Sequence, residues 1–423
     1  MGARLNGIQK VRGSNPLISI TRILPVQIGR ILYVRKKRVG NMKKIWFWVK
    51  SELMLVLALV AALIGLIITP PTKALLGQID WRTLGTLLMM LCVLEGFKKE
   101  DVLHPLVTLA AGFKSMVSMT LFLVFCVFFA SMFVTNDVSL LIFVPLTLIL
   151  FREAGKEQYI LPVITMENIA AVRGSLLMPF GSPQNLFLYG QSGVTVWKFM
   201  LHMLPLCLMS GVLLVIFILF LYRRNLKEEA VLQKKKEQKQ EKWHLTGRRW
   251  MCLGLFALVL LVIVTRTSLW PLALAVVLLT VALWDRMLFL QVDFVLLATF
   301  LCFFVFSSSI AANPQISGFL KKAVVNREYW WAIGLSQVIS NVPASIVLYP
   351  FSENFAGLIY GADTAGLCSL IGSLASVINY RIYVRQYPQN GGKFIKTFTL
   401  ISWAFFLIVV IPGYLLSRWN FFS

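Results

Sequence analysis

Charged residues are scarce in this chain, and their scarcity excludes a soluble globular protein. Asp, Glu, Lys and Arg make up 14% of the 423 residues, whereas 58% of the residues are hydrophobic. The mean hydropathy is +0.77. A soluble protein could not keep so apolar a chain in solution. The composition therefore predicts a polytopic integral membrane protein.

The residue patterns of the common enzyme classes are also missing. The chain has three histidines and no His-Glu-x-x-His pattern, and its six cysteines form no Cys-x-x-Cys pair. It contains neither a Gly-x-Ser-x-Gly motif nor a P-loop. Zinc chemistry, a serine nucleophile and ATP hydrolysis therefore have no sequence support. We expect no enzyme and no bound cofactor, with Na+ as a candidate coupling ion.

Acidic residues are few, and the 18 Asp and Glu against 41 Lys and Arg leave a formal net charge of +23. The basic residues stand in short clusters beside apolar runs and not along one soluble face, which argues against a nucleic-acid partner. Such flanking charges are typical of the cytoplasmic ends of membrane spans. We therefore expect a multi-pass protein surrounded by lipid in a bacterial inner (plasma) membrane, with a cytoplasmic N-terminus.

Seven apolar runs are long enough to predict spanning helices, and hence an all-α fold. They cover residues 53–69, 81–97, 197–222, 250–264, 269–284, 292–311 and 394–416. Two longer regions, 114–190 and 329–380, are apolar but interrupted. The chain divides accordingly into a basic cytoplasmic segment (1–50), a first transmembrane repeat (51–222), a charged cytoplasmic loop (223–249), a linking helix (250–268) and a second, inverted repeat (269–423).

Polar signatures interrupt the two regions in the same order. The first region has Thr135-Asn136-Asp137, then Gly174, then Gly181-Ser182-Pro183-Gln184-Asn185; the second has Ser340-Asn341-Val342-Pro343, then Gly366, then Gly372-Ser373. Irregular backbone survives at membrane depth only where it is buried in protein or lines a wet cavity. A matched pair of interruptions therefore points to a substrate site at the midplane of a transporter.

Charge placement predicts that the two halves have opposite orientations. A re-entrant hairpin tipped by residues 135–137 would enter from the inner side, and one tipped by residues 340–342 from the outer side, near Lys321. Each hairpin is followed by a broken transmembrane helix. Residues 80–84 and 292–296 occupy matching places at the start of each half, which supports an internal repeat.

The tip residues Thr135, Asn136, Ser340 and Asn341 offer hydroxyl and amide groups beside unwound backbone. Their oxygens suit a hard cation such as Na+, and helix N-termini aimed at the tips suit an anion. The alternative is that these residues only cap helices in packed protein. Two tips at corresponding places favour binding.

The residues around Gly181-Ser182-Pro183-Gln184-Asn185 predict a helix break that leaves Ser182, Gln184 and Asn185 to contact a ligand. The alternative is that the proline only kinks a helix. Gly372-Ser373 lacks a proline and predicts a weaker break.

Ionisable groups at membrane depth are further candidates for function. Asp137 could bind Na+ or carry a proton. Arg173, just before Gly174, could attract an anion, neutralise Asp137 or form a buried structural ion pair. Glu167, Asn168 and Glu353 are additional polar candidates.

Three segments resemble the ion transporter superfamily: TNDVSLLIFVPLT, GSLLMPFGSPQNLFLYGQSG and GLSQVISNVPASIVL. The resemblance extends from about Leu53 to the C-terminus. It is strongest to the arsenite-permease-like and sodium/proton-antiporter-like anion permeases, which are related to citrate and dicarboxylate transporters.

This resemblance implies a scaffold domain that often dimerises and a transport domain that moves like an elevator. We therefore expect a homodimer. Family ion and substrate contacts would fall on Thr135, Asn136 and Asp137, on Ser340 and Asn341, and on the two Gly-Ser turns. Na+ would be held by the five tip residues. The dicarboxylate branch favours Ser-Asn-Thr at both tips, and the Thr-Asn-Asp and Ser-Asn-Val tips here weaken a direct transfer of sodium/dicarboxylate chemistry to this chain.

The sequence thus predicts a secondary active transporter for a small anion of the citrate or dicarboxylate type, or another oxyanion, coupled to Na+ or H+. The alternatives are arsenite or antimonite efflux, for which Cys368 stands near a break, and Na+/H+ exchange through Asp137. An intramembrane enzyme is remote because no His or Lys stands near Ser182. An open channel fits opposed, closed hairpins less well.

The basic residues before Met42 suggest that translation begins at Met42. The first forty residues contain no Asp or Glu, and Met42-Lys43-Lys44 precedes an aromatic, apolar run. Mass spectrometry of the native protein is then expected to find an N-terminus at Met42. A peptide from residues 1–41 would exclude it.

Overall fold

The computed structural model describes residues 53–70, 77, 79–102, 109, 113, 115–224, 244 and 246–419. The regular elements in these ranges are helices, which confirms the predicted all-α fold. In chain order the α-helices are α1 (Leu53–Ile68), α2 (Trp81–Lys99), α3 (Met116–Val134), α4 (Asn136–Glu153), α5 (Ile160–Ser175), α6 (Pro183–Ser192), α7 (Val196–Leu221), α8 (Gly247–Thr265), α9 (Trp270–Trp284), α10 (Phe294–Ala311), α11 (Pro314–Val324), α12 (Glu328–Ile339), α13 (Asn341–Leu348), α14 (Phe355–Ala365), α15 (Leu374–Gln386) and α16 (Gly391–Ser417). Short 3₁₀ turns lie at Glu157–Tyr159, Arg286–Leu290, Tyr349–Phe351 and Pro388–Asn390.

All seven predicted spans are helices, namely α1, α2, α7, α8, α9, α10 and α16. Within the described ranges, α3, α7, α8, α10 and the segment that ends with α16 are long and apolar enough to cross a membrane. Helices α1 and α9 are shorter apolar helices. Length and composition of the helices thus agree with a polytopic membrane protein.

The two halves begin with the same local structure. Asp80 caps α2 with φ −79° and ψ 79°, and Asp293 caps α10 with φ −78° and ψ 77°. The carboxylate of Asp80 accepts from the backbone N–H of Thr83 at 2.9 Å, and that of Asp293 from Leu296 at 2.9 Å. The sequence echo between residues 80–84 and 292–296 therefore corresponds to a shared helix cap.

Each predicted hairpin turns on a single residue. Thr135 has φ 69° and ψ 156°, and Ser340 has φ 68° and ψ 160°. This region is nearly exclusive to glycine, and holding another residue there costs about 1–3 kcal/mol. The next helix starts at once, so Asn136, Asp137 and Asn341 belong to first helical turns. The chain turns at the predicted positions, but the unwound backbone is confined to Thr135 and Ser340, because one residue in this conformation suffices to reverse the chain.

The arms of the two hairpins differ in length. Arms α3 and α4 have 19 and 18 residues, or about 28 and 27 Å at 1.5 Å per residue. Arms α12 and α13 have 12 and 8 residues, or about 18 and 12 Å. Because the hydrocarbon core is about 30 Å thick, the second pair of arms is too short to cross it. Re-entry of both hairpins from opposite sides stays a prediction.

Both predicted broken helices are interrupted. The first break comprises residues 176–182, between α5 and α6, and the second break comprises residues 366–373, between α14 and α15. Pro183 begins a new helix instead of kinking a continuous one. The prediction that Gly372-Ser373 makes a weaker break is wrong, because the second break is as long as the first without a proline.

A glycine closes each break tightly against the preceding helix. A Cβ at Gly181 would overlap the carbonyl oxygen of Ser175, and a Cβ at Gly372 would overlap that of Ala365. The missing side chain lets the backbone fold back onto the last turn of α5 or α14. Glycine therefore explains the second break, where no proline is available.

The two halves exchange packing partners. Helix α1 of the first half packs on α10 of the second, and α9 packs on α2. Among the inner elements, α6 packs on the hairpin arm α13, and α15 packs on the hairpin arm α4. Each hairpin thus rests on the helix that follows the other half's break, which brings the two hairpins and the two breaks together.

Several predictions lie outside the described residues. They are the basic segment 1–50 with its start at Met42, and the core of the charged loop, residues 225–243. The proposed division into repeats and the orientation of the N-terminus stay predictions.

Alanine in place of Gly181 or Gly372 is expected to lower the free energy of unfolding by about 1–3 kcal/mol, because the new Cβ must displace backbone. The check is thermal unfolding of purified protein in detergent. Gly254 is the matched control, since a Cβ there meets nothing within 4 Å. Gly254→Ala should be neutral or stabilising by up to about 1 kcal/mol. Equal effects at Gly254 and Gly372 would refute close packing at the breaks.

Candidate functional site

A buried ion pair joins the two broken helices. Nη1 of Arg173, near the end of α5, donates to Oδ2 of Asp363, near the end of α14. The side chains are 0% and 1% exposed. Arg173 also places Nη2 3.4 Å from the hydroxyl of Thr364. Each charged residue stands three positions before its break, so the pair connects equivalent points of the two halves.

This geometry decides whether Arg173 neutralises Asp137 or forms a buried structural ion pair with another residue. The guanidinium neutralises Asp363 and not Asp137, and it forms the structural pair that was one alternative. Its Nε is buried without a hydrogen-bond partner. Contact of Arg173 with an anionic substrate stays a prediction.

Two asparagines join α5 to α15, one turn or more away from the ion pair. Nδ2 of Asn168 donates to the hydroxyl of Ser376 at 3.1 Å. Nδ2 of Asn379 donates to the carbonyl oxygen of Ile164 at 2.6 Å. The asparagine side chains are buried, and each of these bonds satisfies the amide nitrogen, whereas the Oδ1 atoms of both residues have no hydrogen-bond partner. The broken helices are therefore held together along their length.

The second tip lies against the second break. The backbone N–H of Asn341 donates to the carbonyl oxygen of Gly372 at 3.2 Å. Gln337, one turn before the tip, donates from Nε2 to the carbonyl oxygen of Ala365 at 3.2 Å and accepts from the hydroxyl of Ser369 at 2.7 Å. One glutamine thus bonds the residue before the second break and a residue in the middle of that break.

The first tip approaches the first break through apolar contacts. The rings of Phe133 and Phe180 are 6.4 Å apart between centroids. A Cβ at Gly174 would overlap the carbonyl oxygen of Phe128, so α5 lies directly against α3 there. Each tip therefore stands beside the break of its own half. The ion pair connects the two breaks.

Four helix N-termini open next to these tips and breaks, those of α4, α6, α13 and α15. Thr135, Ser340 and Ser373 precede three of them and make no side-chain cap bond. Ser182 caps the fourth by accepting from the backbone N–H of Asn185 at 3.4 Å. Unbonded N–H groups and the helix dipole make such N-termini favourable for negative charge.

Three buried polar atoms at these positions have no hydrogen-bond partner: Oδ1 of Asp137, Oδ1 of Asn185 and Nδ2 of Asn341. A buried polar atom without a partner is costly, so its presence calls for an explanation such as a ligand. The two oxygens suit a cation, and the amide nitrogen suits an acceptor such as a carboxylate. Binding of Na+ by the tip residues stays a prediction.

The fold already uses part of the Gly181–Asn185 motif. Ser182 is a helix cap, and Nδ2 of Asn185 donates to the carbonyl oxygen of Ser175 at 3.2 Å. The serine oxygen and the amide nitrogen of Asn185 thus have partners within the fold, and contact of Ser182, Gln184 and Asn185 with a ligand stays a prediction. Gln184 is buried at 2% exposure.

The other ionisable candidates separate by position. Glu167 and Asn168 are fully buried in the middle of α5. Glu353 lies at the surface, where its carboxylate is 2.7 Å from Nζ of Lys321 and both side chains are more than half exposed. Glu353 therefore lies away from the tips and breaks.

Sequence reasoning missed Asp363, Gln337 and Asn379. The sequence did contain a signal for Asp363. This acidic residue lies in an apolar stretch three residues before the second break, and Arg173 lies three residues before the first break. Gln337 and Asn379 gave no comparable signal, because their partners are backbone carbonyls that only the tertiary structure brings near.

Removal of one charge from the buried pair is expected to destabilise the protein by about 3–5 kcal/mol, because the other charge stays buried without a partner. Arg173→Met and Asp363→Leu should each show this loss. The double variant should recover most of it. The measurement is unfolding in detergent or bicelles.

The exposed Lys321–Glu353 pair is the matched control, and Lys321→Met should change the free energy of unfolding by no more than about 1 kcal/mol. Additive losses in the double variant at Arg173 and Asp363 would show that the two charges do not depend on each other.

Comparison with known proteins agrees with this architecture. The sequence profile of a family described as "Citrate transporter" matches residues 44–357. The inner membrane protein YbiR of Escherichia coli is 31% identical over 348 residues, covering 80% of this chain and 88% of that protein. An uncharacterised transporter of Methanocaldococcus jannaschii is 28% identical over 348 residues, covering 81% of this chain and 91% of that protein. The chain therefore belongs to the citrate transporter family and is a polytopic membrane transporter, not an enzyme.

Proposed function

We propose that this protein is a secondary active transporter for a small multivalent anion of the citrate or dicarboxylate type, coupled to Na+ or H+. The observation that carries the proposal is the paired geometry of the interruptions. Thr135 and Ser340 share one strained conformation, and each is followed by an asparagine that opens a helix. Such strain persists where the surroundings enforce it, and it clusters at ligand sites.

The charge pattern of the site favours an anion together with a cation. Four helix N-termini face the interruptions, and Arg173 is already neutralised by Asp363. A carboxylate substrate would receive backbone N–H groups and the unpaired Nδ2 of Asn341. The unpaired oxygens of Asp137 and Asn185 would face a cation that accompanies the anion.

Alternating access would follow from the exchanged packing of the halves. In this proposal the hairpins and broken helices move together as one transport domain, and α1, α2, α8, α9 and α10 form a scaffold that pairs with a second copy. The two halves would have opposite orientations in the membrane. The Escherichia coli relative is named an inner membrane protein, which supports the same location for this chain.

Asn136→Ala and Asn341→Ala are each expected to reduce ion-coupled citrate uptake into proteoliposomes at least tenfold while leaving expression and thermal unfolding close to wild type. The reason is that both asparagines are the first residues of helices at the strained tips, where their side-chain amides are proposed to contact the ligand. Gln315→Ala supplies the control, because this glutamine is exposed on α11. Wild-type uptake in both tip variants would remove the paired site.

A thermal-shift series tests the substrate class. Purified protein is heated with citrate, succinate, sulfate, arsenite or no anion, each with and without Na+. A ligand at a hundred times its Kd stabilises the folded state by about 2.7 kcal/mol. We expect citrate or succinate to raise Tm. A shift with arsenite alone would favour the efflux alternative, and a shift with Na+ alone would favour cation exchange.

A further inference from the structure

Glu167 is a carboxyl group that the substrate site does not use. It lies in the middle of α5, eight residues before the last residue of that helix, and its side chain is 0% exposed. The hydroxyl of Thr147, on the hairpin arm α4, donates to its Oε1. Its Oε2 is buried and has no hydrogen-bond partner. The group therefore bridges the first hairpin and the first broken helix through one oxygen only.

No charge in the described part of the chain compensates Glu167. The arginine of the same helix, Arg173, is paired with Asp363. On α3, the titratable side chain that interacts electrostatically with Glu167 is the thiol of Cys126. Helices α7, α15 and α16 and the 3₁₀ turn before α5 also pack on α5, and their described residues direct no charged side chain at Glu167.

An ionised carboxylate at this position would be buried, unpaired and only half hydrogen-bonded. That arrangement is strongly unfavourable in an apolar interior, and such a group instead takes up a proton or is reached by water. The neighbouring carboxylate of Asp363 shows the contrast, because it has a guanidinium partner. Glu167 has a hydroxyl donor that can serve both its neutral and its ionised form.

We propose that Glu167 is a proton-binding site of the transport cycle. Oε2 takes up a proton from the aqueous phase when the region between α4 and α5 is open to one side of the membrane. In the closed state of this structure, the neutral carboxyl group accepts the hydrogen bond from Thr147. Release to the other side regenerates the carboxylate. This step rests on the proposed function, in which H+ is one of two coupling ions, and it adds the residue that holds the proton. Its spectroscopic test does not depend on the substrate.

Infrared spectroscopy of purified protein across a pH series tests the site directly. The wild type should show the C=O stretching band of a protonated carboxyl, shifted in heavy water, which persists at neutral pH. Glu167→Gln should lose that band while retaining wild-type thermal unfolding, since the amide can still accept from Thr147. Thr147→Val keeps the shape of the side chain and should move the band and its pH midpoint.

Asp137→Asn is the matched control, because Asp137 also has an unpaired carboxyl oxygen. Loss of the band in Asp137→Asn but not in Glu167→Gln would place the proton at the tip and overturn the proposal. An unchanged carboxyl spectrum in Glu167→Gln would likewise overturn it.

Transport supplies a second, separate readout. With citrate as the probe, an imposed pH gradient should alter uptake by wild-type proteoliposomes and have no effect on Glu167→Gln. A pH response that persists in Glu167→Gln would contradict the coupling role. If no variant and no wild-type sample moves citrate, the proposed substrate class fails while the infrared result still decides whether Glu167 holds a proton.

Discussion

The buried ion pair between Arg173 and Asp363 is the interaction on which the arrangement of the interior depends. It joins the two broken helices at equivalent points, three residues before each interruption. Neither charge has access to water, so each needs the other in place. A pair at this position therefore couples the two halves: the first break cannot move relative to the second without separating two charges in a medium of low dielectric.

The interruptions are stabilised by means that differ between the halves. At the first break Pro183 starts the new helix and Asn185 bonds the carbonyl of Ser175. At the second break Gln337 bonds Ala365 and Ser369 from the side of the hairpin. Both breaks nevertheless use a glycine that folds back on the preceding turn. The same backbone path is thus reached with different side chains, which is why the sequence echo between the halves is weak.

Several buried polar atoms at the tips, at the first break and on α5 have no hydrogen-bond partner. The tips retain a carboxylate oxygen and an amide nitrogen, and α5 retains one oxygen of Glu167. Elsewhere in the described interior, asparagine and serine side chains are mostly bonded to backbone carbonyls. Unpaired atoms also occur on Arg266, Trp284, Ser309 and Ser402. The tips are therefore distinguished by the strained backbone beside their unpaired atoms, and not by those atoms alone.

Local sequence patterns predicted much of the fold. The seven spans, the positions of the two turns, the broken helices and the family were all available from apolar run length and from Asn, Gly and Ser in repeated order. The structure differed where one residue or one contact decided the outcome. The unwound backbone at each tip is confined to a single residue at φ near +69°, and Gly372 made a full break without a proline.

The sequence by itself determined that the chain crosses a membrane and interrupts its helices twice in the same order, because run length and backbone breaking are local properties. Only the tertiary structure decided that Arg173 pairs with Asp363, that Asn341 bonds Gly372, and that Glu167 lacks a charge partner. These facts depend on which helices meet. Charge and hydrogen-bond pairing acts across space, and Arg173 and Asp363 are 190 positions apart in the chain. No local pattern encodes which residues meet.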